Sequence, residues 1–363
     1  SSPAGAVRAQ AAGAYHPRRM IDLSNQPCPV CRTTGRSQPL HTTSYPEHHY
    51  PGPFTLRRCD ECGLLFNSPR LDPTGLARLY GRNYYFFLRS DAREFDRIVG
   101  MYQRSVALID ADFPHAGLPR HSIDIGCGRG YLPAVLRELG WDAWGIEISP
   151  DAAEYARSRF GLDVFTGTVE QYATSAQARQ FALVTAIDVI EHVPDPDGFV
   201  AAAAKLVAPG GWLIIDTPNA AAENIRFCGV AWKGFNPFHI YLFTIPNLIT
   251  LLRRHGMHAE RCFSYGNTPS GPRLRERVAA RLKAAGLLGP LAGAYFAARR
   301  LMIRGNDTAR QHLARAVARI RCQPPYSASS DSTAPLAASR TGDNIVVIAR
   351  KQAEPPSDSD HRR

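Results

Sequence analysis

Lysine is scarce in this chain of 363 residues. Of 43 basic residues only Lys205, Lys233, Lys283 and Lys351 are lysine, and the rest are arginine. Long apolar runs are missing too. One long uncharged stretch, Ala284 to Ala298, is broken by Gly286, Gly289, Pro290 and Gly293. It falls short of the ~18–20 residues that a spanning helix needs. The N-terminus has no apolar leader core, and Arg18-Arg19 is followed by Met20 and soon by Asp22, unlike a twin-arginine leader. The first residue is Ser, which leaves open whether Met20 is the start or the sequence is a fragment. No segment repeats at a fixed period, so solenoids and propellers are excluded. Hydrophobic residues at 44% and charged residues at 21% exclude a chain disordered throughout and a fibrous one.

Acidic residues fall short of basic ones by 11, but the excess is local. Between Arg273 and Arg321, eleven Arg and one Lys face only Glu276 and Asp307, so this segment carries +10 and the rest is near +1. A nearly neutral protein with one basic insert is no general nucleic-acid binder, and no nucleic-acid partner is expected.

Eight cysteines divide into two groups. Cys28, Cys31, Cys59 and Cys62 form two C-x-x-C pairs, whereas Cys127, Cys228, Cys262 and Cys322 are scattered. Paired C-x-x-C without a leader reads as metal in a reducing compartment, hence a cytoplasmic protein. Four thiolates suit structural Zn2+ in tetrahedral geometry. The 27 residues between the pairs exceed the common spacing, and His41, His48 and His49 inside the gap are alternative ligands.

At roughly 150 residues per domain the length suggests about two domains. Residues 1–22 read as a flexible tail, 23–70 as a zinc ribbon and 71–118 as a helical linker and substrate cap rich in aromatics (Tyr80, Tyr84, Tyr85). From Pro119 short apolar runs alternate with helical periodicity. Strands are expected at Ser122–Ile125, Ala143–Ile146, Asp163–Thr166, Leu183–Ile187, Trp212–Asp216 and Met257–Tyr265, and helices at Tyr131–Leu139, Pro150–Phe160 and Phe199–Val207. That alternation predicts an α/β domain over 119–268, with a parallel sheet and right-handed crossovers. A basic helical insert (269–322), a Pro/Ser-rich linker (323–342), a returning strand (343–351, containing Asn344–Ala349) and a polar tail (352–363) complete the chain.

The densest motif is Asp124-Ile-Gly126-Cys127-Gly128-Arg-Gly130, between a strand and a helix. A glycine turn there lets a nucleoside-bearing cofactor approach the backbone, and Glu147, ending the next strand, can accept from ribose hydroxyls. A dinucleotide site has the spacing G-x-G-x-x-G. Here it is G-x-G-x-G led by an acid, which suits a cofactor without a pyrophosphate.

On these residues the chain resembles the class I S-adenosylmethionine-dependent methyltransferases, from about Ser122 to Asp216 and more loosely to Ala349. The resemblance implies a Rossmann-like seven-stranded sheet of order 3-2-1-4-5-7-6, its last strand antiparallel. It places Asp124, Gly126, Cys127, Gly128 and Gly130 around the amino-acid end of S-adenosyl-L-methionine, Glu147 on the ribose, Ile148 beside it against the cofactor, and Thr168 and Val169 at the adenine. Asp188 lies near the cofactor in the fourth-strand motif. The family usually has an acid where Thr168 stands. Its last two strands are normally close in sequence, so the roughly eighty residues between them here imply an insertion. A zinc ribbon before such a core resembles a subset that modifies sugars or other biosynthetic intermediates.

Methyl transfer to a hydroxyl needs alignment and a base, and histidine titrates nearest neutrality. Glu191-His192 ends the fourth-strand motif, and His239 with Tyr241 lies in the stretch that resembles the family's acceptor-facing segment. Glu191 can orient a histidine or join His192 and His239 around a metal. Tyr84, Tyr85 and Trp232 are candidate acceptor-pocket residues. The expected acceptor is a sugar, nucleotide-sugar or lipid-linked intermediate, methylated on oxygen or carbon. Residues 273–321 could touch an anionic membrane from its inner face. Two readings compete: a non-catalytic module binding zinc and cofactor, and an NAD-dependent oxidoreductase.

Overall fold

The computed structural model describes residues 20–45, 50, 52–72, 74–76, 118–229, 232, 234–265 and 341–352. Tyr80, Tyr84, Tyr85, His48, His49, the basic insert and the two tails lie outside them.

Two sheets organise the described chain. The smaller uses β2 (Ser37–Ser44), β3 (Pro53–Cys59) and β4 (Leu65–Ser68), joined at its edge by β11 (Tyr241–Leu242) from the second half of the chain. The β2–β3 hairpin accounts for the long gap between the cysteine pairs. A two-residue strand β1 (Met20–Ile21) pairs antiparallel with β5 (Arg70–Leu71).

The larger sheet runs β12 (Met257–Tyr265), β13 (Asn344–Lys351), β10 (Val207–Pro218), β9 (Phe181–Ile187), β6 (His121–Ile125), β7 (Asp142–Glu147) and β8 (Asp163–Thr166). In core order this is 3-2-1-4-5-7-6, with β13 antiparallel to both neighbours. β9 explains why its segment is a central strand: of Phe-Ala-Leu-Val-Thr-Ala-Ile all but Ile187 are buried, and each large apolar side chain so buried contributes roughly 2 kcal/mol. Asn344 pairs with Tyr265, so the long insertion leaves and re-enters the sheet at one point.

Helices cover both faces: α1 (Tyr131–Glu138), α2 (Pro150–Phe160), α3 (Val169–Thr174), α4 (Pro196–Leu206), the short α5 (Asn224–Cys228) and α6 (Ile245–Arg254). α4 begins with Pro196 behind the cap Asp195, whose carboxylate accepts from Gly198 N–H at 3.0 Å. α6 begins with a capping box between Thr244 and Asn247 and buries Leu248, Leu251 and Leu252 on one face.

The ribbon is docked onto the core. Asn247 Nδ2 donates to Cys62 O at 3.0 Å, and Arg254 donates to Pro29 O at 3.1 Å and to Val30 O. Asp197 on α4 gathers Arg254, His255 and, from the ribbon, Arg32. Hydrogen bonds from these three side chains, with the Arg254 charge, pull its carboxyl down to about 2 against the opposing effect of burial. Side chains of α4 and α6 thus bond the cysteine ribbon directly.

Candidate active site

The strand order reverses between the parallel neighbours β6 and β9. The carboxyl ends of β6, β7, β9 and β10 therefore open on one crevice, where ligands bind in open α/β sheets. The glycine loop follows β6. Gly126 has φ +72°, and a Cβ on it would meet Val189 at 2.5 Å. Gly128 has φ +54° with nothing within 4 Å of its would-be Cβ, so the loop backbone is bare on the open side. Gly130 caps α1 in the left-handed region. Cys127 points inward instead: its buried sulfur packs against Gly145, where a Cβ would meet Sγ at 2.5 Å.

Glu147, at the end of β7, is 5% exposed. Gly128 N–H donates to its Oε2 at 2.7 Å and Ser149 N–H to its Oε1 at 2.7 Å. A carboxylate has about four acceptor positions, so capacity remains for two hydroxyls. Ile148 beside it is 47% exposed, an apolar surface suited to a flat ring. Asp124 accepts from Thr185 Oγ1 at 2.7 Å, because the parallel β6–β9 register sets the two residues side by side. Burial pushes its carboxyl up to about 7.

At the end of β9, Asp188 holds φ +53°, with its N–H bonded to Asp216 O. Its neighbour Asp216 accepts from Tyr265 O–H at 2.6 Å and from Asn344 Nδ2 at 3.1 Å. Burial, then the Asp188 charge, pushes Asp216 up to about 7. Next comes the short 3-10 turn Ile190–His192. His192 Nδ1 bonds Phe238 O at 2.9 Å, and His239 Nδ1 bonds Gly234 O at 2.8 Å. A carbonyl only accepts, so both neutral rings carry the proton on Nδ1 and the lone pair on Nε2. The rings stand edge to face at 4.8 Å. Burial pulls His192 down to about 4 and His239, with His192 beside it, to about 3, so both are neutral at pH 7. Glu191 is fully buried. Its Oε2 accepts from Thr217 at 2.8 Å, while Oε1 lies 3.7 Å from His192 Nε2 and has no hydrogen-bond partner among the described residues. Burial raises this carboxyl well above its ordinary range. One donor atom from each of Glu191, His192 and His239 falls within 4.8 Å of the others, a set that could also hold a divalent cation.

The structure therefore brings Glu191, His192 and His239 together, and redirects four other residues named from the sequence. Tyr241 spends its hydroxyl on Pro194 O at 3.4 Å, and its ring lines a cavity beside Cys28, Cys59 and Phe66. Trp232 is buried with its indole N–H on Asp343 at 3.1 Å, a packing role where a pocket wall was expected. Thr168 serves as the cap of α3 in a capping box, and Val169 is buried at 2% exposure. Thr185, Asp216, Asn344 and Tyr265 escaped notice. Asp216, a charge ending the apolar run before Thr217, was the visible clue.

The four ribbon cysteines converge. Their sulfurs all lie within 4.8 Å, with Cys28–Cys62 at 3.6 Å and Cys31–Cys59 at 3.5 Å. Tetrahedral zinc with ~2.3 Å bonds sets sulfurs ~3.8 Å apart, so the cluster fits Zn2+. The Cys62 thiol beside Cys28 lowers Cys28 to about 5, and burial raises Cys59. His41 is no ligand of this cluster: its ring packs edge-on to Phe235.

Residues 102–260 match a family model described as a methyltransferase domain. That stretch of the chain is similar to methyltransferase domains. The chain is 36% identical over 113 residues to a ubiquinone biosynthesis O-methyltransferase of Bordetella avium, covering 30% of this chain and 46% of that protein. It is 37% identical over 121 residues to the protein of the same name from Thiobacillus denitrificans, covering 32% and 51%. The chain thus spans about half the length of the curated relatives it matches. A crystal structure of a SAM-dependent methyltransferase from Archaeoglobus fulgidus superposes with a TM-score of 0.44 at 14% identity, covering 74% of this chain and all of that one.

Proposed function

We propose that this chain transfers a methyl group from S-adenosylmethionine to a hydroxyl oxygen of a small acceptor, with His192 or His239 taking the proton. The observation that carries the proposal is the pair of neutral imidazoles beside the end of β9, each held through Nδ1 by a backbone carbonyl, one strand from the bare glycine loop.

The bound cofactor supplies an electrophilic methyl on a sulfonium. Glu147 would hold the ribose, the Gly126–Gly130 backbone and Asp124 the amino-acid end, and Ile148 the adenine. His192 or His239 accepts the hydroxyl proton at Nε2 as the oxygen forms its bond to the methyl carbon. The sulfonium, when bound, would release that methyl and keep the electron pair of its carbon–sulfur bond. Phe238 O orients the His192 ring through Nδ1, and Glu191, its carboxyl raised by burial, lies 3.7 Å from His192 Nε2. The ribbon's Zn2+, held by Cys28, Cys31, Cys59 and Cys62, supports the fold and takes no part in the transfer.

The relatives' printed activity supports oxygen over carbon as the accepting atom. A sugar-like or lipid-linked acceptor, a cytoplasmic location and contact with an anionic membrane through 273–321 belong to the same proposal. The last rests on the +10 charge of that segment. Among the described residues no helix is long and apolar enough to cross a membrane.

The test is calorimetric titration of the zinc-loaded protein with S-adenosylhomocysteine, followed by transfer of labelled methyl to fractionated extract. Binding with transfer into an acid-stable product supports the proposal. Binding without transfer to any fraction favours the non-catalytic module, and tighter binding of NAD revives the oxidoreductase.

A further inference from the structure

We propose that Asn67, on the cysteine ribbon, is a positioning residue for His239. This rests on the reading of His239 as an acceptor-facing group. Asn67 lies on β4, three residues after the Cys62–Leu64 knuckle, and is fully buried. Its Nδ2 donates to Asn236 O at 2.9 Å and to His239 O at 2.8 Å. Its backbone N–H donates to Ile240 O at 2.9 Å. One ribbon residue therefore holds three carbonyls of the 236–240 loop.

The same loop is tied from the other side. Ile240 N–H donates to Glu191 O at 2.7 Å, and His192 Nδ1 holds Phe238 O. Within the loop, Asn236 Oδ1 accepts from the N–H groups of Phe238 and His239. His239 thus sits between Asn67 and the β9 turn, and its ring angle depends on both. Ribbon aromatics pack on the loop as well: Phe54 on Phe235 at 5.7 Å and Tyr50 on Phe238 at 5.9 Å.

A packing role alone does not explain the residue type. Asn67 Oδ1 is buried with no partner among the described residues. An unpaired buried carbonyl costs stability, and a leucine of similar volume would avoid it. What the amide offers in return is two N–H groups in one plane, matched to two carbonyls that share the loop with His239. Cysteine ribbon and histidine are thereby linked through a side chain, beyond shared core.

The experiment uses the full zinc-loaded chain labelled with 15N-histidine, comparing wild type with Asn67→Asp and Asn67→Leu. Asp removes the donors at constant shape, and Leu keeps the volume. Zinc content and S-adenosylhomocysteine binding report an intact fold. The expected result is faster exchange of the His239 Nδ1–H with water, on the order of tenfold or more, the loss of two ordinary hydrogen bonds. His239 should also titrate at a higher pH than in the wild type. Unchanged His239 exchange and titration in variants that keep zinc and cofactor affinity overturns the proposal. So does loss of zinc and cofactor binding in both, which makes Asn67 a residue of the fold. If the wild type binds no S-adenosylhomocysteine, the methyl-transfer reading fails, and the exchange data still report whether Asn67 holds the ring.

Discussion

Gly128 N–H donates to Glu147 Oε2 at 2.7 Å, which ties the glycine loop after β6 to the acid ending β7. The bond orients a carboxylate that the ribose hydroxyls would meet. Glu147→Ala is expected to weaken S-adenosylhomocysteine by about 100-fold, because hydrogen bonds to a charged acceptor contribute roughly 1.5–3 kcal/mol each. Calorimetry reads this directly, and wild-type affinity in the variant would remove Glu147 from the ribose.

Two glycines of one loop should respond differently to alanine. At Gly126 the new Cβ would meet Val189 at 2.5 Å, so Gly126→Ala is expected to lower the melting midpoint as well as cofactor affinity. At Gly128 nothing lies within 4 Å, so Gly128→Ala pays only the left-handed backbone cost of about 1 kcal/mol while its methyl intrudes on the crevice. It should fold and bind cofactor poorly. Equal melting midpoints for the two variants would contradict this assignment.

His192→Ala and His239→Ala separate base from bystander. The histidine that takes the proton should lower turnover on the order of 10²–10⁴-fold. S-adenosylhomocysteine affinity should stay within about threefold, because neither ring bonds the glycine loop. Full turnover in both variants would falsify the histidine-base mechanism.

The buried carboxyls give a pH signature in the cofactor-free protein. Asp124 and Asp216 are raised by burial to about 7 from 3.8, so their neutral forms favour the folded state. That contribution is complete below the unfolded value and is lost as pH rises through 7. His192 and His239 shift the other way, to about 4 and 3, and their contribution is lost only as pH falls below 6.5. Between pH 6.5 and 8 the carboxyls act alone, and stability should fall by about 1 kcal/mol for each. Thermal melts check this, and Asp124→Asn should make the slope shallower. A midpoint that rises across this window would contradict it.

Removing one zinc ligand tests the ribbon. Cys59 is 1% exposed and 3.5 Å from Cys31, so Cys59→Ser should empty the site and lower the melting midpoint. Bound zinc should drop from about one per chain towards zero by atomic absorption. Retention of zinc would return His41, His48 or His49 as ligands.

Much of the fold was legible because its signals are local. Asp163–Thr166, Met257–Tyr265 and Pro150–Phe160 carry their apolar period and their Gly or Pro stops within a dozen residues, and the observed bounds agree. The glycine loop with Glu147 was equally readable, since backbone geometry at a tight turn depends on a few neighbouring residues. The cysteine pairs announced a metal site through their own spacing. The redirected residues share a different cause. Thr168, Tyr241 and Trp232 each gave their polar atom to a partner that composition does not reveal: Gln171 N–H, Pro194 O and Asp343.

The sequence alone determined the strands and the glycine turn, because hydrophobic period and turn chemistry act over short distances along the chain, while the strand order followed from the resemblance to methyltransferases. Only the tertiary structure decided that the ribbon sheet takes its edge strand from Tyr241–Leu242. It alone set His192 against His239 across 46 intervening residues, and gave Asn67 three carbonyls of a loop about 170 residues away. Such pairings are fixed by the packing of whole elements, and no local pattern of residues carries them.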